Sequence, residues 1–139
     1  MIKFTVLGEP QGKGRPRFSV IAGHVHARTP EQTATYENLI RVEYLAQCGA
    51  NSRFADDEKL KMQIDAYYGV PKSDSAKKRT QKLNGEIRPT KKPDMDNVLK
   101  VFADALNGYA YRDDTQIVEA VVNKWYSEVP RVDVEVSEI

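Results

Sequence analysis

The 139 residues predict an α+β fold, a mostly antiparallel four-stranded sheet with two helices packed on one face, in the order β-α-β-α-β-β. Three observations carry this. Apolar and polar residues alternate with a period of two in several short runs, two longer runs have helical spacing, and three of the four strands show one dry and one wet face. A chain of this length builds one core, so residues 1–139 read as a single domain.

Ile2, Phe4 and Val6 alternate with Lys3 and Thr5, a first strand. Residues 8–28 hold Gly8, Pro10, Gly12, Gly14, Pro16 and Gly23 and read as a long loop, with a hairpin tip near Ala22–Gly23. Thr29-Pro30-Glu31-Gln32 has the chemistry of a helix start: a hydroxyl N-cap, Pro in the first turn, and Gln three residues after the cap. Leu39, Val42 and Ala46 give that helix an apolar stripe, joined by Tyr36, Ile40 and Leu45, and Gly49 stops it. A second strand follows, with Leu60, Met62, Ile64, Ala66 and Tyr68 alternating with Lys61, Gln63, Asp65 and Tyr67. Pro71 ends it and opens a basic loop that runs to Lys92. The next helix turns Val98, Leu99, Val101, Phe102, Ala105 and Leu106 inward and closes at Asn107–Gly108. QIVEAVVNKWY is a longer, more fully apolar third strand. Val132, Val134 and Val136 mark a fourth, and Glu128-Val129-Pro130 predicts a hairpin joining the two.

Hydrophobic residues are 40% of the chain and charged residues 29%, a globular balance. The single Cys48 excludes an intramolecular disulfide and a Cys-based zinc site. MIKFTVLG is too short and too soon polar for a signal peptide or a membrane span, so the expectation is a soluble cytoplasmic protein. Charge is segregated along the chain. Between Lys72 and Lys92 eight Lys or Arg face two acids, whereas from Pro93 onward four basic residues face ten acids. A polyanion gripped beside a carboxylate cluster would use such an arrangement.

Asp96, Lys100 and Asp104 are spaced i, i+4 and i+8 and share one helical face. Asp94, just after Pro93, sits where an N-cap belongs, and Asp113 and Asp114 lie together in the turn before the third strand. A capped, solvated helix accounts for the first three, since an N-cap is worth about 1 kcal/mol and each ion pair a few tenths. It does not account for the basic run immediately upstream. A magnesium ion prefers carboxylate oxygens, water and substrate phosphate, and it would relieve the repulsion of Asp94, Asp96 and Asp114 brought together. Other acid motifs fit less well: an EF-hand loop from Asp94 would need Gly and Glu where Leu99 and Ala105 stand. His24 and His26 lack a third ligand nearby and read as structural. No P-loop, nucleophile elbow or Cys–His pattern is present.

PDMDNVLKVFADALNG followed by RDDTQIV resembles the signature of the RusA-type crossover junction endodeoxyribonucleases, the Holliday junction resolvases common in bacterial prophages. The match runs through Asp94, Asp96, Asn97, Lys100, Asp104, Ala105, Leu106, Asp113 and Asp114, and covers about a quarter of the chain closely. GKGRPRF is also similar to a basic N-terminal motif of that family's relatives. The resemblance implies a homodimer dependent on Mg²⁺, or Mn²⁺ in its place, that nicks a four-way DNA junction in pairs during recombination and repair. Asp94, Asp96 and Asp114 would hold the metal, with Asp113 the alternative from its pair, and Lys100 would assist catalysis. The long basic insertion and the Gly-rich first loop depart from the type and bear on junction selectivity more than on chemistry.

Lys13, Arg15, Arg17, Lys77, Lys78, Arg79, Lys91 and Lys92 are the expected phosphate-gripping cations, and Tyr67, Tyr68 and Phe18 could stack on opened bases or pack in the core. Two other functions compete. A non-catalytic DNA-binding protein would bind DNA whether or not Mg²⁺ were present. A magnesium nuclease of flaps, other branches or plain duplex would differ from a resolvase in its substrate alone.

Overall fold

The computed structural model describes residues 1–14, 17–28 and 30–139, except the side chains of residues 17 and 28. Its elements are β1 (Ile2–Leu7), β2 (Arg17–Ile21), β3 (His24–Arg28), α1 (Glu31–Cys48), β4 (Leu60–Gly69), α2 (Ala76–Leu83), α3 (Met95–Ala105), β5 (Ile117–Ser127) and β6 (Arg131–Glu138). The main sheet has the order β1-β6-β4-β5. Alternating residues of β1, β4 and β6 fill the core from one face: Phe4 pairs with Val134, and Val134 with Ile64. Covering that face are α1 and α3, which bring in Tyr36, Ile40, Tyr44, Val98, Val101 and Phe102, all buried. Tyr44 meets Phe4 edge-on at 5.8 Å between ring centroids, and Tyr36 meets Phe102 at 5.9 Å.

Four expectations need correction. The sheet is mixed: β4 and β5 run parallel, from Lys61 opposite Glu119 to Gly69 opposite Ser127. A parallel pair needs a long crossover, and residues 70–116, with α2 and α3 inside them, supply it. Nor are β5 and β6 a hairpin, because β4 lies between them and pairs antiparallel with β6. The basic loop contains a third helix, α2, whose N-cap Ser75 accepts from the Lys78 amide. Its sequence AKKRTQKL has no continuous apolar stripe, so periodicity could not reveal it. Finally, α1 buries Thr33, Tyr36, Glu37, Ile40 and Tyr44, whereas Leu39, Val42 and Leu45 are exposed. Tyr36 and Ile40 of the expected stripe do face inward, together with Tyr44.

The hairpin tip near Ala22–Gly23 joins β2 to β3 in a separate two-stranded sheet. Both turn residues have positive φ, 52° and 79°, the backbone of a type I′ turn. The Thr29 cap expected for α1 lies outside the described residues.

Candidate functional site

The acids occupy two ends of α3. At its start, Pro93 follows β4 closely enough for the Tyr68 hydroxyl to donate to the Pro93 carbonyl at 2.8 Å. Burial, then the charges of Asp94 and Glu9, push the Tyr68 hydroxyl up to about 12. Asp94 takes the N-cap position, but its carboxylate makes no capping hydrogen bond and stays exposed, as does Asp96 in the first turn. The Gln11–Gly14 segment lies directly on this turn. The Lys13 amide donates to the Asn97 carbonyl at 3.2 Å, and a Cβ on Gly12 would stand 2.9 Å from Pro93 Cβ and 3.0 Å from Asn97 Cβ. Only glycine permits that approach. An open cleft of about 720 Å³ results, lined by Gln11, Lys13, Thr33, Lys92, Asp94 and Asn97 among others.

At the other end of α3, Asp104 gathers charge. Lys13 Nζ lies 2.8 Å from Glu37 and 3.3 Å from Asp104, and Lys100 Nζ lies 3.7 Å from Asp104. Burial alone would lower the Lys13 pKa; hydrogen bonding and attraction from Glu37, then Asp104, outweigh it and hold it above the usual lysine value. Arg41 reaches Glu37 at 3.5 Å and donates through Nε to the Ala105 carbonyl at 2.9 Å, tying α1 to the end of α3. The Asp114 amide donates to Asn107 Oδ1 at 2.7 Å, which turns this residue toward the helix. Burial first, then hydrogen bonds shared with Asp113 and Asp104, raise the Asp114 carboxyl above its ordinary value. Asp113 is more exposed, and its carboxylate caps the turn by accepting from the Thr115 amide.

The three expected metal ligands do not meet within one chain. Asp96 and Asp104 are eight residues apart, a rise of about 12 Å along α3. Asp114 interacts with Asp104, which is ten residues from Asp94, a rise of about 15 Å along α3. Magnesium takes its oxygens at about 2.1 Å. Among the described residues no three Asp, Glu, His or Cys side chains form a group able to hold a metal. A hard divalent cation suits the donor chemistry of these carboxylates, and magnesium takes one or two of them beside water and substrate phosphate.

The expected phosphate contacts divide. Lys77, Lys78 and Lys92 are exposed, while Arg79 is paired with Glu128 at 2.9 Å. Lys91 Nζ sits 5.9 Å and Lys124 Nζ 5.1 Å from the centre of the Tyr68 ring, and Lys124 also donates to the Lys91 carbonyl at 2.6 Å. Lys13 is turned into its carboxylates. Arg15 and the Arg17 side chain lie outside the described residues. Tyr68 is buried and cannot stack on a base; Tyr67 lies beneath Arg131, 4.0 Å from ring centre to guanidinium; Phe18 is exposed on β2.

Sequence reasoning missed Glu37, Arg41, Lys124 and Tyr111. Glu37 carried one usable signal, since it falls on the same face as Thr33, Tyr36, Ile40 and Tyr44. A carboxylate there needs a cation, and Lys13 supplies it. Tyr111, fully buried, donates to the Ala103 carbonyl at 2.6 Å and braces the turn carrying Asp113 and Asp114.

The family described as Endodeoxyribonuclease RusA matches the chain over residues 8–137. A Bacillus subtilis (strain 168) protein described as "Uncharacterized protein YqaN" is 41% identical over 142 residues, which span 99% of this chain and 96% of that protein.

Proposed function

Since the chain belongs to the RusA endodeoxyribonuclease family, we propose that it is a resolvase, cutting four-way DNA junctions by paired phosphodiester hydrolysis. The family makes it a nuclease, and nucleases of this family generally depend on a divalent metal. Junction selectivity, Mg²⁺ as the ion (Mn²⁺ in its place), and a homodimer matching the junction's two-fold symmetry are parts of the proposal. The observation that carries it is the exposed polar face of α3, where Asp96, Lys100 and Asp104 follow one another, with the Asp113–Asp114 turn beside Asp104.

The ligands proposed are Asp94, Asp96 and Asp114, with Asp113 beside the last. A divalent ion would activate water and offset phosphate charge. Lys100, its side chain 61% exposed and close to Asp104, is placed to donate to a non-bridging phosphate oxygen as negative charge builds there. Lys77, Lys78 and Lys92 would hold the backbone without reading sequence, and the Gln11–Gly14 segment would border the DNA path at the start of α3. No helix of the described residues is long and apolar enough to cross a membrane.

Incubation of labelled four-way junctions and linear duplex in Mg²⁺, with Asp94→Asn and Asp114→Asn beside the wild type, tests this. Symmetric nicks on the junction, absent from both variants, are expected. Equal cutting by all three proteins would refute the ligand assignment, and equal cutting of junction and duplex would refute the resolvase assignment.

A further inference from the structure

Outside the main sheet, β2 and β3 form a two-stranded ribbon of their own. Residues directly opposite each other in such a ribbon lie on one side of it. Phe18 opposite Ala27 and Val20 opposite Val25 make one side apolar, while Ser19 opposite His26 and Ile21 opposite His24 make the other more polar. The apolar side is bare: Phe18 and Val20 are 71% exposed and Val25 is 70% exposed. Ala27 is too small to shelter the ring across from it. A two-stranded ribbon alone is marginally stable in water, so a side like this is built to be covered.

Charge and position identify the occupant. From Pro10 to Pro30 the sequence has no Asp or Glu but has Lys13, Arg15, Arg17 and Arg28, and the exposed His24 and His26 add hydrogen-bond donors. A cationic segment with one apolar side suits a polyanion whose interior is flat and apolar, a nucleic acid with bases unstacked. The ribbon is also rooted at the candidate site. Gln11–Gly14 is fastened to α3 by the Lys13 amide, which donates to the Asn97 carbonyl, and to α1 by the Gly14 amide, which donates to Thr33 Oγ1 at 2.9 Å. β2 begins three residues after Gly14, so a DNA phosphate at Asp94 and Asp96 puts the duplex at the ribbon's root. In linear duplex every base is stacked on its neighbours. At the centre of a four-way junction that stacking is interrupted, and an apolar side chain can take the missing neighbour's place.

We infer that the β2–β3 ribbon enters the branch point and lays Phe18, flanked by Val20 and Val25, on a base unstacked there, so that it selects branched over linear DNA. This rests on the reading of the protein as a junction-cutting nuclease and adds to it the element that recognises the branch. Of the three aromatic residues that the sequence offers for stacking, Tyr68 is buried and Tyr67 lies beneath Arg131, whereas Phe18 is exposed.

Binding to a synthetic four-way junction and to a linear duplex, in EDTA so that no strand is hydrolysed, tests it. Iodouracil placed at the branch point should link on irradiation to the tryptic peptide of residues 18–28, and iodouracil in the middle of an arm should not. Phe18→Ala should lower the junction's advantage in affinity over duplex about tenfold, the share of one base stacked on an aromatic ring, and Phe18→Trp should keep it. Because Phe18 is exposed, thermal melts of both variants should match the wild type. A wild type that binds junction no better than duplex overturns the inference. So does the absence of a link at the branch point, or an advantage unchanged in Phe18→Ala. A change of oligomeric state in Phe18→Ala with junction affinity unaltered would give this side to a second copy and also overturn it. A wild type that shows every expected effect yet leaves the junction uncut in Mg²⁺ supports the wedge and sinks the resolvase reading alone.

Discussion

Removing either half of the Lys13–Glu37 pair should destabilise the protein far more than the loss of an ordinary surface ion pair. The two groups are 2.8 Å apart, and their side chains are 18% and 9% exposed. At an effective dielectric constant of about 20, their attraction is about 6 kcal/mol, most of it offset by the cost of drying both ions. Truncating one partner leaves the other charge where water reaches it poorly, which costs about 3–5 kcal/mol in buried pairs. Here Arg41 still serves Glu37, and Asp104 still serves Lys13, so we expect about 2–3 kcal/mol for Glu37→Gln or Lys13→Met. With a melting entropy of about 2.1 cal/mol/K per residue, that lowers Tm by roughly 7–10 °C for a chain of this size. The double variant should cost about as much as either single one, because the unpaired charge is gone. Thermal and urea melts at pH 7 measure the cycle. Because the folded Lys13 pKa stands above 10.5, the coupling should be intact below pH 10.5 and fade as pH rises through the folded value. Single-variant losses under about 0.5 kcal/mol that simply add would show a solvated pair and refute the reasoning.

Three further outcomes are expected. Tyr111→Phe should lose about 1–3 kcal/mol in urea melts, since it strips the buried Ala103 carbonyl of a 2.6 Å donor. Asp114→Asn should abolish junction cutting yet raise stability at pH 7: with a folded pKa above 3.8, the native state holds this proton more tightly than the unfolded chain, so the wild type loses stability as pH rises through that window. The gain should vanish near pH 3, where both states are protonated, and melts at the two pH values check it. Lys77→Ala with Lys78→Ala should weaken binding to every DNA sequence alike and reduce the salt slope by about 1.8 if each lysine meets one phosphate, as binding titrations over a salt series would reveal.

Periodicity was a good guide to β1, β4, β6 and α3, because each buries one clean face and the alternation or helical spacing records it. It was a poor guide to pairing. β5 and β6 are joined by three residues and look like a hairpin, yet β4 offers β6 a dry face that matches Val132, Val134 and Val136 residue by residue. On α1 a one-dimensional reading favoured Leu39 and Val42, while the larger area of Tyr36 and Tyr44 turned the helix the other way. At the site, the acids and Lys100 were visible as a string of residues. Which end of α3 the Asp113–Asp114 turn approaches was not, since the direction in which a helix crosses its sheet is set by strand order. Glu37 was hidden for a similar reason: its partner is Lys13, 24 residues away.

β6, the last strand of this chain, is hydrogen-bonded between β1 and β4 along its length. While a ribosome is still making residues 131–138, the first strand has no neighbour in the main sheet and the middle strand is open on one side. The nascent chain must therefore keep Phe4, Ile64 and their companions from foreign partners until residues 131–138 have been made, and a fragment stopped at residue 130 should be a client for chaperones and proteases.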